Sequence, residues 1–150
     1  LTDGLRNVLP GHATLKGDVR ARLPEDRMNV EKFMRQIVVG VAAAHGVGVK
    51  MSFVTEFIET INSKGPVEAA MLTAKNMGLN AVSDRPGMSF SEDFAYFCEA
   101  VPGCFLLLGN GTSGAHGKPL HASDYDFNDA LLPIGASFWA QLVRDRLPIT

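Results

Sequence analysis

The chain has 150 residues, of which 46% are hydrophobic and 20% are charged, and its formal net charge at pH 7 is −2. This composition is typical of a globular protein with a buried core and excludes an intrinsically disordered chain. Both signs of charge are interspersed, so nucleic acid is not an expected partner, and no apolar run approaches the roughly 18 residues of a transmembrane helix.

The first part of the chain is predicted to form a β-α-β unit. Apolar and polar side chains alternate over residues 13–23, as in a half-buried strand. Pro24 and the two acidic residues after it favour the start of a helix, and apolar residues recur at helical spacing over 28–41. Gly46 is expected to end this helix. A second alternating stretch over 47–57 predicts another strand.

Two strands and one helix make a sheet that is too small to be stable alone. Parallel strands joined by a crossover helix often leave room for another strand between them. The chain also begins with Leu1 rather than methionine. We therefore expect these residues to be part of a longer protein.

The second part of the chain is predicted to contain three helices and two short strands. A polar, punctuated segment ending at Gly65 places the domain boundary near residue 60. Pro66 suits the first turn of a helix, and Gly78 follows its end. The expected elements are a helix over 66–77, a strand over 80–83, a helix ending near 100, a strand over 104–108 and a helix over 130–146.

The loop over 109–128 is the candidate functional segment, because twenty residues without their own structure are unusual in a compact domain. His121 is followed within eight residues by four acidic or amide side chains. Imidazole and carboxylate groups on irregular backbone are what a metal or acid–base site needs. The residues alone also allow a second interpretation, in which Asp126 or Asn128 simply caps the last helix. His116, in the glycine-rich part of the loop, is expected to be exposed to solvent.

The chain has two cysteines, Cys98 and Cys104. Two cysteines are too few for a disulfide framework, which favours a reducing cytoplasmic location. Both have apolar neighbours, where a free thiol usually behaves as a small hydrophobic group.

Three blocks of sequence motifs follow one another along the chain. The first is Asn-Val-Leu-Pro at 7–10 with Ala-Thr-Leu-Lys-Gly-Asp-Val-Arg at 13–20. The second is Ser-Glu-Asp-Phe-Ala-Tyr-Phe at 91–97 with Val-Pro-Gly-Cys at 101–104. The third comprises Gly-Asn-Gly at 109–111, Pro-Leu-His at 119–121, Tyr-Asp-Phe-Asn-Asp at 125–129 and Leu-Pro-Ile-Gly at 132–135. In order and spacing, these blocks resemble the hippurate-hydrolase group of the metal-dependent aminoacylase and carboxypeptidase family, although Asp18 stands where threonine is usual.

The resemblance implies an α/β fold in two parts. Residues 1–60 would be the second half of a ferredoxin-like β-α-β lid domain, through which such enzymes form homodimers. Residues 61–150 would be the C-terminal lobe of an α/β metallopeptidase-like catalytic domain.

The resemblance also implies roles for four residues. His121 matches the last metal ligand of a site for two divalent ions, zinc or manganese, whose other ligands and general base lie outside this chain. Glu92 matches a group beside the site that orients a ligand, and is not the general base. Asn7 and Arg20 are candidates for substrate binding, since a guanidinium group can hold a carboxylate through two hydrogen bonds. For Arg20, a solvated side chain on a charged strand face is the open alternative.

The implied activity is hydrolysis of the amide bond of N-acyl amino acids, such as hippurate, by metal-activated water. The small-molecule substrate and a second copy of the chain would be the partners, and these residues alone are expected to be inactive. The alternative, from another class, is a non-catalytic dimerisation or association module whose metal site is incomplete. A metal count on this chain and on the full-length protein distinguishes the two.

Overall fold

The computed structural model describes residues 7–147, and Leu1 lies outside this range. Within this range there are four α-helices and one short 3₁₀ turn. The helices are α1 (Pro24–Ala44), α2 (Lys64–Asn76), α3 (Phe94–Ala100) and α4 (Leu131–Arg146), and the 3₁₀ turn is Ala115–Gly117. None of the helices in this range is long and apolar enough to cross a membrane.

Helix α1 belongs to a first compact unit, which extends to Val54 and includes Met88–Phe90. Proline lies in its first turn, with Glu25 and Asp26 beside it, where carboxylates interact favourably with the helix dipole. After its last residue, Gly46 adopts φ +63°, a left-handed conformation that favours glycine. The predicted helix and its glycine stop are confirmed.

The predicted strands are not formed in the described part of the chain. Residues 13–23, 47–57, 80–83 and 104–108 are not paired in a sheet. The apolar face predicted for the first of them is at the surface, and Leu15 is 91% exposed. Strands are stabilised by a neighbour about 4.8 Å away and by burial of one face. These segments form no strand pairs among the described residues, so the expectation of an α/β sheet is wrong for them.

The second compact unit comprises Thr55–Gly87 and the residues from Ser91 onward, and α2 packs against α4 within it. The contact face of α2 carries small buried residues, Ala70, Thr73 and Ala74. The Thr73 hydroxyl donates a 2.6 Å hydrogen bond to Asp145 Oδ2, and Gln141 Nε2 donates one of 2.7 Å to Oδ1. These bonds, with that from Thr73 the larger cause, lower the pKa of the Asp145 carboxyl.

Helix α3 and the segment after it are held to the start of α2 by Asn62. Its Oδ1 accepts a 2.8 Å hydrogen bond from Phe105 N–H, and its Nδ2 donates one of 3.0 Å to Phe105 O. The Ser63 N–H adds a 2.8 Å bond to Gly103 O. The side chain of Asn62 therefore replaces the backbone partner that a neighbouring strand would provide.

The two cysteines are free and half-buried. Burial, together with the nearby Cys98 thiol, raises the pKa of the Cys104 thiol. A β-carbon at Gly103 would lie 2.9 Å from Cys98 Sγ, so any other residue here would push the Cys98 thiol aside.

Candidate functional site

The loop over 109–128 is folded around the side chain of Asn110. Its Nδ2 donates hydrogen bonds to the carbonyls of His116, at 3.0 Å, and Asp126, at 2.8 Å. Its Oδ1 accepts a 2.8 Å bond from the backbone N–H of Asn128. Both amide protons of the side chain are used, and together with its oxygen they join three separate points of the loop.

Asn128 completes the base of this loop and leads into α4. Its Nδ2 lies 3.4 Å from Asn110 O, and its Oδ1 accepts a 3.2 Å bond from Ala130 N–H. The latter contact, two residues along the chain, is an Asx turn placed directly before the helix. Ala130 is the N-cap of α4 and no side chain caps the helix, so neither Asp126 nor Asn128 has the capping role that the sequence allowed. Asn128 bonds to the N-cap residue instead, and the Asp126 carbonyl bonds to Asn110.

Two glycines allow the two arms of the loop to come close together. A β-carbon at Gly111 would lie 3.0 Å from His116 O, and one at Gly117 would lie 2.8 Å from the carbonyl carbon of Thr112. Both neighbours are backbone atoms, which cannot move aside as a side-chain end can. The glycine-rich composition of the loop therefore serves close packing.

The side chain of His116 is 39% exposed, so it is accessible to solvent as expected, although the residue as a whole is partly covered. Its Nδ1 lies 3.3 Å from the Asp126 carbonyl oxygen and 3.7 Å from Asp126 Oδ2. Nearby in sequence, Lys118 Nζ forms a 2.8 Å ion pair with Asp124 Oδ2. Acidic side chains expected to serve chemistry are thus engaged in contacts within the loop.

His121 lies on a turn at the exposed part of the same loop. The turn is closed by a 3.2 Å hydrogen bond from Ala122 N–H to Pro119 O, and His121 is its third residue. It adopts φ +69°, the only left-handed conformation found at a non-glycine residue in the described range. Turns of this kind usually have glycine or asparagine there, because a β-carbon is strained. Such strain is concentrated at functional sites.

Within the second unit, none of the hydrogen bonds or ion pairs described for residues 7–147 joins Glu92 to His121. Glu92 is half-buried and precedes α3, where its carbonyl accepts a 3.2 Å bond from Ala95 N–H. Asn7 and Arg20 belong to the first unit, and both are exposed. Arg20 Nε forms a 2.8 Å ion pair with Asp18 Oδ2. Asp18, which stands where threonine is usual in the family pattern, therefore already forms an ion pair with the Arg20 guanidinium group.

The residues that the structure describes do not by themselves fit a metal ion. Over residues 7–147, no three histidine, cysteine, aspartate or glutamate side chains converge on one point. A catalytic zinc site takes three protein ligands and keeps one position open. His121 could contribute one of these ligands, so a metal centre here would require others from outside the described residues.

Asn110 and Asn128 organise the candidate site, and neither was predicted to do so. The available signal was the Gly-Asn-Gly sequence at 109–111. An asparagine between glycines has a side chain that can replace backbone partners in an irregular segment. Which carbonyls it would reach depends on the folded loop.

Comparison with known proteins identifies relatives over nearly the whole chain. A family model described as peptidase family M20/M25/M40 matches residues 14–145. The hippurate hydrolase of Campylobacter jejuni is 33% identical over 91% of this chain and 35% of that protein. The N-acetyldiaminopimelate deacetylase of Exiguobacterium sibiricum is 32% identical over 81% of this chain and 33% of its own length. The N-acetylcysteine deacetylase of Bacillus subtilis is 29% identical over 91% and 34%.

This chain therefore spans about a third of the length of the curated relatives that it matches. No solved structure matches it. The sequence relationship and the loop geometry are the two independent observations on this site.

Proposed function

Because the chain belongs to the peptidase family M20/M25/M40, we propose that it is the C-terminal portion of a metal-dependent hydrolase that cleaves the amide bond of N-acyl amino acids. The relatives described above are named as a hydrolase of hippurate and as deacetylases of N-acetyldiaminopimelate and N-acetylcysteine. Hippurate-like acyl amino acids are the proposed substrates. The observation that carries the proposal is His121. Its backbone is strained, its imidazole is exposed, and the base of its loop is closed by hydrogen bonds.

Enzymes of this family generally depend on divalent metal ions. We propose zinc or manganese, two ions in the intact enzyme, with His121 as one ligand. An exposed neutral imidazole suits this role, because histidine is the commonest protein ligand for such metals. The remaining ligands and the general base would come from the rest of the enzyme. Glu92, half-buried before α3, is proposed to orient a ligand and not to react.

Residues 1–60 are proposed to be half of a lid domain that forms homodimers, and residues 61–150 the C-terminal lobe of the catalytic domain. Apolar side chains on α1, including Phe33, Ile37 and Val41, are exposed within the first unit. Uncovered apolar surface of this kind favours packing against further protein. The cytoplasm is the proposed location, and the free thiols support it.

Substrate binding is assigned to Arg20, with Asn7 as a second candidate. The substrate presents a free carboxylate beside the scissile amide, and a guanidinium group matches its geometry. Arg20 is half-exposed and already paired with Asp18. A substrate carboxylate would have to compete with that aspartate, so we expect weaker carboxylate selectivity than an unpaired arginine would give.

A non-catalytic association module is the second candidate. It is favoured by one observation, the absence of three converging ligands over residues 7–147. The two candidates differ in what the whole protein does when the loop histidine is removed.

The deciding experiment compares the enzyme that contains this chain with its His121→Ala variant on a hippurate-like substrate. His12→Ala serves as the matched control, because His12 is also an exposed histidine but lies in the first unit. We expect His121→Ala to lose at least about 10- to 100-fold in turnover, as loss of metal-site groups generally does, while His12→Ala retains it. Bound metal is counted in each protein. Full turnover in His121→Ala, or an inactive and metal-free parent protein, would leave the association module as the better assignment.

A further inference from the structure

We propose that Asn110 is a positioning residue that sets the conformation of the His121 loop and thereby the location of the imidazole. This inference rests on the proposed function, because it assigns a role to Asn110 in the site to which His121 belongs. It adds a residue that touches neither substrate nor reacting atoms and acts through the backbone.

The Asn110 amide joins three points of the backbone at the base of the loop. Asn110 Nδ2 holds carbonyls from two different points, His116 and Asp126, at 3.0 and 2.8 Å. Asn110 Oδ1 holds the Asn128 N–H at 2.8 Å. His121 lies between these attachment points in sequence, so the amide closes the segment on both sides of it.

Among the described residues, no hydrogen bond or ion pair reaches the side chain of His121, and the local backbone bond is the turn from Pro119 to Ala122. The His121 side chain is exposed, and the hydrogen bonds and ion pairs described for this loop involve other residues. The position of the ring therefore follows from the backbone. Ordering a loop of this length costs conformational entropy, so the contacts at its base decide whether it holds one conformation.

Only an asparagine satisfies these partners. Two carbonyls require two N–H donors, and one N–H requires an acceptor, and a primary amide at this reach supplies both. An aspartate would place a second carboxylate oxygen against two carbonyls, and alanine would leave all three groups without a partner. The ion pairs nearby, Lys118 with Asp124 and His116 with Asp126, are largely exposed and would not compensate.

The test uses the intact enzyme with Asn110→Ala, and Asn62→Ala as the matched control. Asn62 also binds backbone N–H and C=O groups through its amide in the same unit, but it holds Phe105 and not the loop. Both variants lose comparable hydrogen bonds, so similar decreases in melting temperature are expected. We expect kcat to fall by about 100-fold in Asn110→Ala alone, because small misplacements of a catalytic group have effects of this size.

Two further readouts separate positioning from a general loss of structure. The imidazole NMR signals of His121 should shift or broaden in Asn110→Ala and stay unchanged in Asn62→Ala. Asn110→Asp, which has the same shape and retains the acceptor, should lose kcat as Asn110→Ala does, because it lacks the donors. In the unmutated protein, the Asn128 N–H should exchange with solvent more slowly than exposed loop amides.

An Asn110→Asp enzyme with unchanged kcat would overturn the inference, as would fast exchange of the Asn128 N–H. Equal loss of kcat in the Asn62 and Asn110 variants would assign the effect to folding and would also overturn it. His121→Ala keeps this outcome distinct from the proposed function. If His121→Ala is inactive and Asn110→Ala is not, the function stands and the positioning role is wrong.

Discussion

The strained backbone at His121 allows stability and activity to be tested with one substitution. Replacing His121 with glycine should remove turnover while leaving the protein as stable as before, or slightly more stable. The reason is that φ +69° is costly for a residue with a β-carbon and free of strain for glycine.

The magnitude follows from three terms. A left-handed conformation costs an L-residue about 1–2 kcal/mol, and glycine avoids this cost. Glycine gives the unfolded chain extra freedom, which lowers the free energy of unfolding by about 0.4–1 kcal/mol. The exposed ring contributes no described hydrogen bond, so little packing is lost. The net expectation is a change between about zero and 1.6 kcal/mol in favour of glycine.

The assay is urea unfolding of the His121→Gly, His121→Ala and unmutated proteins, with turnover measured on the same samples. Alanine retains the strained β-carbon and loses the ring, so it should be equally inactive but no more stable than the parent. A glycine variant that is destabilised by more than about 1 kcal/mol would indicate a structural role for the ring. A glycine variant with normal turnover would remove His121 from the candidate site. Equal denaturant slopes are needed for the comparison.

Three further predictions concern other parts of the chain. Arg20→Ala should lower kcat/KM for an acyl amino acid by the equivalent of about 2–3 kcal/mol more than kcat/KM for the matching neutral amide, and Arg20→Lys should restore part of the loss. An equal loss of kcat/KM on both substrates would contradict carboxylate recognition. Thr73→Val should lower the melting temperature at neutral pH. Because the pKa of the Asp145 carboxyl is lowered in the folded state, its contribution to stability is complete above the ordinary aspartate pKa of 3.8 and disappears as the pH falls through the lower pKa of the folded state. The difference between Thr73→Val and the parent should therefore narrow below about pH 4, and a constant difference across that range would exclude linkage to Asp145. The 150-residue chain alone should neither hydrolyse hippurate nor bind zinc tightly through His121, as calorimetry can test; amide hydrolysis by the purified chain would contradict the proposal that it is part of a larger enzyme.

The helices were predictable because their signals are local. Pro24 and Gly46 limit α1 through backbone preferences that act within one turn. The same holds for the end of α2 at Gly78, which adopts φ +69°. The strands were not predictable in this way, because an alternating pattern is stabilised only by a partner strand. Leu15 has the correct pattern and remains exposed.

In the candidate site too, features that depend on local sequence were predictable and features that depend on folded contacts were not. His121 could be singled out from sequence, because residue type and motif spacing point to metal or acid–base chemistry without any knowledge of contacts. Its left-handed backbone could not, since the turn from Pro119 to Ala122 determines it. The pairing of Arg20 with Asp18 spans only two residues, so it depends on local spacing, and the structure contains it.

The sequence by itself determined the family, the helices and the identity of the loop that bears His121. These depend on the order of residues along the chain and on interactions within a few positions. Tertiary structure decided how that loop is held, because Asn110 meets carbonyls 6 and 16 residues further along. It also decided that Thr73 and Asp145, 72 residues apart, share a hydrogen bond between α2 and α4. Contacts over such separations depend on which segments the folded chain brings together, and no local preference of either residue specifies its partner.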